Sequence, residues 1–201
     1  YDVGETLDRR YRLKRLVARS ERGVVFEAEH LHLHRSVAVR LLPEGQAKDE
    51  DAGERLLREA RLLDEIAHAA VVRVVEAAVT PQDEPYVATE VLTGRSLDGV
   101  LAVEERMPVE DAVAVALALA EGLAHAHQRG VFHAGLAPSS ILRVAETSPG
   151  PAAKLLDTGI APSPIGVLGG PLAAMAYAAP ERLAGGDPDA RTDRSEEHTS
   201  E

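Results

Sequence analysis

Three side chains in this sequence have surroundings that a purely solvated role does not explain: Arg40, Glu59 and Asp157. Arg40 falls within Ser36–Leu42 (S-V-A-V-R-L-L), whose alternation predicts a strand. Period two sets Val37, Val39 and Leu41 on one face and Ala38, Arg40 and Leu42 on the other. A guanidinium on that second face can pair with a carboxylate, hold a phosphate, or simply fill space. Glu59 lies in the predicted helix Glu54–Ala67, where Leu56, Ala60, Leu63 and Ala67 form an apolar stripe. Glu59, Leu63 and Ile66 stand at i, i+4 and i+7, so the carboxylate shares a face with apolar groups and needs a charged partner. Asp157 precedes Thr158-Gly159 and is either a turn aspartate or a hard oxygen donor free for other work. His30, His32 and His34 alternate and would share one face of an extended chain. No carboxylate or cysteine completes a metal site there, so the segment reads as an exposed turn between strands.

The elements that must position these groups follow from pattern and punctuation. Tyr1–Arg10 is polar and reads as a lead-in. Strands are predicted over Tyr11–Leu16, Val24–Glu29, Ser36–Leu42, Val71–Val79 and Tyr86–Glu90, the last two joined by the turn at Thr80–Pro85. Pro43–Gly53 reads as a charged loop before the helix that carries Glu59. Ser96 suits the cap of a short helix. Pro108–Arg129 is the strongest helix pattern, with Pro108 at its start, Glu110 and Asp111 at the positive end of the dipole, and Gly130 at its close. Its apolar stripe is read as Val113, Leu117, Ala120 and Leu123-Ala124.

Composition narrows the function classes. The net charge of −11 argues against a nucleic-acid or anionic-membrane surface, which would need clustered Lys and Arg. With no Cys there is no disulfide framework and no thiolate zinc site, which fits the cytosol. The longest uncharged apolar run, Ala112–Ala120, is too short to span a bilayer. The chain opens at Tyr1 without a signal-like segment and reads as a fragment. Residues 194–201 (R-S-E-E-H-T-S-E) resemble a translated sequencing-library adapter and are set apart as an artefact.

Several motifs in order carry a family resemblance. His133-Ala134-Gly135-Leu136-Ala137-Pro138-Ser139-Ser140-Ile141-Leu142 resembles the protein-kinase catalytic loop H-R-D-L-K-P-x-N-I-L with its working groups replaced. Ala18-Arg19-Ser20-Glu21-Arg22-Gly23-Val24-Val25 occupies the place of the glycine-rich loop, with only Gly23 and Val25 matching. Arg40 stands at the V-A-I-K lysine, and Arg58-Glu59-Ala60 resembles the following helix. His68–Val72 resembles H-P-N-I-V. Lys154–Gly159 resembles K-L-x-D-F-G, with Thr158 for Phe. Ala179-Pro180-Glu181 matches the A-P-E motif, and Ala190–Asp193 resembles the start of the helix after it.

The resemblance, to bacterial Ser/Thr kinases, covers Tyr11 to Asp193 and implies an α+β bilobal protein-kinase-like fold. Residues 11–92 would form a small antiparallel five-stranded lobe with one helix. Residues 93–193 would form part of a mainly helical second lobe. Loss of the helices beyond would leave the 201-residue chain prone to aggregation. By resemblance, Gly23, Val25, Ala38, Arg40, Glu59, Thr89, Glu90 and Leu92 are the nucleotide-contacting positions, with Thr89 as gatekeeper. Asp157, and weakly Ser140, are the metal positions. ATP and Mg²⁺ are the implied cofactors, with weak or absent binding, since Gly135 replaces the catalytic Asp, Ala137 the loop Lys and Ser140 the Asn. Ala134 replaces the Arg that grips an activating phosphate, and few hydroxyl residues (Thr158, Ser163, Tyr177) remain in the activation segment. The expected protein is a pseudokinase acting on an unknown protein partner, with a tether, if any, outside this fragment. The alternatives are an atypical weak kinase or a decayed gene.

Overall fold

The computed structural model describes residues 1–20, 23–104, 106–145, 150–157, 177–183 and 185–193. Among them the chain forms two compact units. The first comprises Tyr1–Ala67 and Val72–Thr93, and the second His68–Val71 and Gly94 onward. The short His68–Val71 segment thus belongs with the second unit although the sequence on both sides of it belongs with the first.

The first unit is a curled antiparallel sheet with one helix. Its strands are β1 (Thr6–Leu7), β2 (Tyr11–Ser20), β3 (Gly23–His30), β4 (Arg35–Leu41), β5 (Val74–Val79) and β6 (Pro85–Thr89), in the order β1-β2-β3-β4-β6-β5. Five strands were expected. The sixth, β1, lies in the polar lead-in, where Leu7 is fully buried and pairs across to Tyr11. Alternation along β4 is as the pattern predicts: Val37, Val39 and Leu41 are buried, and Ala38 and Arg40 occupy the other face half-exposed. The inner face of the sheet packs Leu7, Leu13, Phe26, Val39, Leu41 and Ala88 into one core.

Helix α1 runs Glu50–Ile66, four residues earlier than predicted. The Asp49 carboxylate caps it by accepting from the Ala52 N–H, an N-terminal signal that outweighs the loop-like composition. Gly53 therefore lies inside the helix, where a Cβ would stand 3.1 Å from Pro85 Cγ. Close packing, and not a turn, is the reason for that glycine. Leu56 and Ala60 seat α1 on Val87, with Leu42 and Val74 alongside.

Inside the sheet a polar cluster joins the lead-in to β5 and β6. The Tyr11 hydroxyl donates to the Glu76 carboxylate, Arg10 Nη1 lies 2.5 Å from Glu76 Oε1, and the Tyr86 hydroxyl donates to Asp8 at 2.9 Å. Burial first, and then the bonds to carboxylates, push both tyrosine hydroxyls well above their ordinary range.

The second unit contains α2 (Leu97–Glu104), α3 (Val109–His127), a three-stranded sheet and a short helix α4 (Pro180–Leu183). The sheet pairs β7 (Gly94–Ser96), β8 (Ile141–Val144) and β9 (Ala153–Leu155) antiparallel, in a unit expected to be mainly helical. The predicted apolar stripe of α3 is overturned. Val113 and Leu117 are 52% and 59% exposed, whereas Val115, Ala118, Gly122 and Ala126 are the buried positions. Apolar residues surround this helix, so period alone could not choose its face. Backbone proximity chooses it: a Cβ on Gly122 would stand 3.3 Å from the Ala70 Cβ. Only small residues allow that approach.

Candidate functional site

In the first unit, strand pairing gathers the predicted nucleotide-contacting positions. Val25 pairs across from Arg40, Ala38 from Thr89 and Arg40 from Val87. Directly opposed residues of a sheet share a face, so Val25, Ala38, Arg40 and Thr89 lie on one surface. Arg40 Nη2 stands 2.9 Å from Glu59 Oε1, and both side chains are about four-fifths buried (20% and 22% exposed). The strand arginine and the helix glutamate therefore form the ion pair that their positions in the family's motifs imply. It is an electrostatic contact more than an aligned hydrogen bond, since among the described residues Glu59 Oε1 accepts no well-directed donor. The Thr89 hydroxyl donates to the Glu90 carbonyl at 3.3 Å. The Glu90 N–H donates to the Arg73 carbonyl, and its carboxylate accepts from the Arg73 N–H at 2.9 Å, so both ends of Glu90 are tied to β5's approach. Leu92 is half-buried beyond it.

Gly23 has a local explanation. Its φ is +135°, and a Cβ there would fall 2.2 Å from the Leu41 carbonyl oxygen. The hairpin requires glycine at this point whether or not a phosphate ever approaches. Glu21 and Arg22 of the same loop lie outside the described residues.

In the second unit the loop from His133 to Ser140 is held by two anchors. The first is Asp193, whose side chain is 1% exposed. Its carboxylate accepts from the His133 N–H (2.7 Å) and the Ala134 N–H (2.6 Å), and lies 2.8 Å from His127 Nε2. Ala134 has φ +59°, a left-handed conformation that disfavours a residue with a Cβ, and the two adjacent N–H bonds to one carboxylate hold it there. The second anchor is Ser140, 2% exposed, whose hydroxyl donates to the Ala137 carbonyl (2.7 Å) and accepts from the Ala137 N–H (3.1 Å). The Ser140 carbonyl also accepts from the Leu156 N–H, which sets the chain entering Asp157.

Asp157 is 8% exposed, with Oδ1 3.2 Å from His133 Nε2. His133 is buried too, and neither ring nitrogen makes a well-directed hydrogen bond among the described residues. The pair is an ion pair when the imidazole is protonated. Gly135 is half-buried and not in the left-handed region, so the backbone makes no demand for glycine at the position where a carboxylate would stand. Ala137 is buried and carries no charge. Thr158, Ser163 and the adapter-like tail lie outside the described residues.

The histidine triplet spans the end of β3 and the turn after it. His30 is buried, and its Nδ1 accepts from the His32 and Leu33 N–H groups, which closes the turn. Among the described residues no group of three or more potential ligands converges. The sequence marked Asp193 as a family position but held no signal for its three-way contact. Those contacts span about sixty residues of chain.

A curled antiparallel sheet bearing a strand Arg paired to a helix Glu, followed by an anchored loop and a buried aspartate, defines a protein-kinase fold. The Protein kinase domain family matches residues 11–195, and the chain belongs to that family. It is 34% identical over 194 residues to the serine/threonine-protein kinase pkn2 of Myxococcus xanthus, covering 93% of this chain and 23% of the relative. It is 31% identical over 193 residues to the serine/threonine-protein kinase PknA of Mycobacterium tuberculosis, covering 92% of this chain and 44% of that one. The chain thus spans less than half the length of these curated relatives. The crystal structure of the M. tuberculosis PknI kinase domain resembles it with a TM-score of 0.73 and 25% identity, over 96% of this chain and 70% of that one. Among the described residues no helix is long and apolar enough to cross a membrane.

Proposed function

We propose that this protein-kinase-like domain is a pseudokinase, a regulatory or scaffold module that binds a protein partner and transfers phosphoryl groups very weakly or not at all. The observation that carries the reading is a loop that is fully anchored yet chemically empty. Asp193 and Ser140 hold its backbone, while Gly135 presents no carboxylate to accept a proton and Ala137 no charge to meet a phosphate. A missing general base alone lowers a rate by roughly 10²–10⁴-fold.

The donor set is at the lower limit of what a catalytic metal site uses. Magnesium in such sites takes oxygen ligands from one or two carboxylates plus substrate phosphates. Here Asp157 is the one carboxylate, and it lies against His133. The Ser140 hydroxyl is committed to its own loop, which argues against the metal role first considered for it. Gly23 is explained by packing, so it adds no weight to phosphate binding. ATP and Mg²⁺ on this reading bind weakly at most, with Asp157 the oxygen ligand suited to the metal.

One observation favours a weak kinase instead. Arg40 and Glu59 keep a formed ion pair, and phosphoryl transfer depends mainly on positioning and electrostatics. Thermal unfolding with and without millimolar ATP and MgCl₂ separates the two. Ligand at about 100-fold over its Kd adds about 2.7 kcal/mol, or roughly 5–10 °C for a domain of this size. The pseudokinase reading predicts a shift under about 2 °C, since ligand no higher than its Kd adds only about 0.4 kcal/mol. A shift of the larger size, lost in Asp157→Ala, would favour the weak kinase.

A further inference from the structure

The curled sheet of the first unit has a partly open end, and a cavity of about 560 Å³ lies there, within the usual range for binding pockets. Val24, Phe26, Leu41, Leu42 and Pro85 supply its apolar lining. Asp2, Glu5, Glu44 and Glu84 also line it, against a single base among the described residues, Arg19. Among the described residues none of these four carboxylates is neutralised by Lys or Arg. Glu84 accepts from the Tyr1 hydroxyl at 2.5 Å, and Glu5 from the Asp2 N–H at 2.8 Å. A recess that presents both apolar side chains and carboxylates not neutralised by Lys or Arg is matched by an occupant that is apolar at its centre and basic at its edges.

We infer that this cavity docks a short segment of a partner protein in which one bulky apolar side chain is flanked by Lys or Arg. The apolar lining takes the side chain. The carboxylates, on a chain of net charge −11, provide the complementary field that draws and orients the flanking bases. A free polyamine leaves the apolar lining unused, and a neutral apolar molecule leaves the carboxylates unused. A peptide segment uses both.

The docking position bears on the strands already described. Val24 and Phe26 lie on either side of Val25 in β3, and Leu41 follows Arg40 in β4. With side chains alternating, the cavity adjoins the reverse face of the strands that carry Val25 and Arg40. An occupant therefore stiffens the β2–β3 hairpin and the strand that holds the Arg40–Glu59 pair. The inference rests on the fold of the first unit and holds whether or not the domain transfers phosphate.

The test is selection of a phage-displayed random nonapeptide library on the full chain, with counter-selection on a Glu5→Gln/Glu44→Gln/Glu84→Gln variant. The expected result is enrichment of peptides with one large apolar residue and two or more neighbouring Lys or Arg. A fluorescein-labelled synthetic copy then binds the variant at least about tenfold more weakly by anisotropy, and loses affinity when its apolar residue is replaced by Ser. Thermal unfolding of the variant close to that of the original chain shows that the fold is kept. Because that variant could be destabilised, binding to the unaltered chain is also followed between about 50 and 300 mM NaCl, where screening must weaken it. No enrichment, equal binding to a folded variant, salt-independent binding, or full affinity of the Ser peptide overturns the inference. Displacement of the peptide by spermine at matched charge also overturns it, because the site would then be one for free polyamines.

Discussion

Replacing Asp193 with Ala should destabilise the second unit more than any other single change at a charged residue there. The carboxylate is nearly inaccessible and accepts two backbone hydrogen bonds, at 2.7 and 2.6 Å, with His127 Nε2 at 2.8 Å. A hydrogen bond to a charged group contributes about 1.5–3 kcal/mol, and each buried N–H left unmade costs about 1–3 kcal/mol. The His127 contact counts for less, because that side chain is 22% exposed and screened. The terms overlap, so the expected loss is about 3–5 kcal/mol, near the measured range for breaking buried charged pairs. Ala134 would also lose the bonds that hold its left-handed backbone, worth roughly 1–2 kcal/mol within that total. Asp193→Asn keeps one oxygen acceptor and should lose less than the Ala variant. Urea unfolding followed by circular dichroism measures this as a lower midpoint at unchanged slope. A loss below about 1 kcal/mol for Asp193→Ala would refute the role assigned to this carboxylate.

Further outcomes follow from particular contacts. Gly23→Ala should destabilise the first unit by more than the roughly 1 kcal/mol swing of a Gly/Ala exchange, because its Cβ would meet the Leu41 carbonyl at 2.2 Å; a thermal melt unchanged from the original would contradict this. Arg40→Ala should lower stability by about 1–3 kcal/mol by leaving the Glu59 carboxylate largely buried and unpaired, and Arg40→Ala/Glu59→Ala should recover part of it in a double-mutant cycle. Alkaline pH should unfold the first unit. Tyr11 and Tyr86 have raised folded values, and Tyr1 is pushed up to about 12, so their stabilisation is complete below the unfolded value near 10 and is lost as pH rises above it. Tyrosinate absorbance against pH should show cooperative ionisation with unfolding, weakened in Tyr11→Phe, and independent titration near 10 would count against the buried cluster.

Much of the first unit could be read from sequence because its physics is local. Alternation along β4 set which residues face inward, and the i, i+4, i+7 placement of Glu59 among apolar residues demanded the partner that Arg40 provides. Before α1, two local signals compete. Gly53 and the acidic residues before it suggested a loop, although Asp49 is a helix cap. The polar lead-in hid β1 because a two-residue strand has no period to detect. On α3, apolar residues on every side concealed the close-packed face of Ala118, Gly122 and Ala126. The loop's emptiness was visible in Gly135 and Ala137, but the means of holding it was not. That depends on Asp193, about sixty residues away along the chain.

The most direct test of the account is transfer of labelled phosphate from [γ-³²P]ATP to a generic protein substrate, run beside Asp157→Ala and Gly135→Asp. Gly135 is outside the left-handed region, so an Asp there meets no backbone strain. The account predicts that the original chain gives no transfer above the Asp157→Ala background, and that Gly135→Asp gives at least as much as the original. Transfer by the original chain that Asp157→Ala abolishes would contradict it and establish a working kinase.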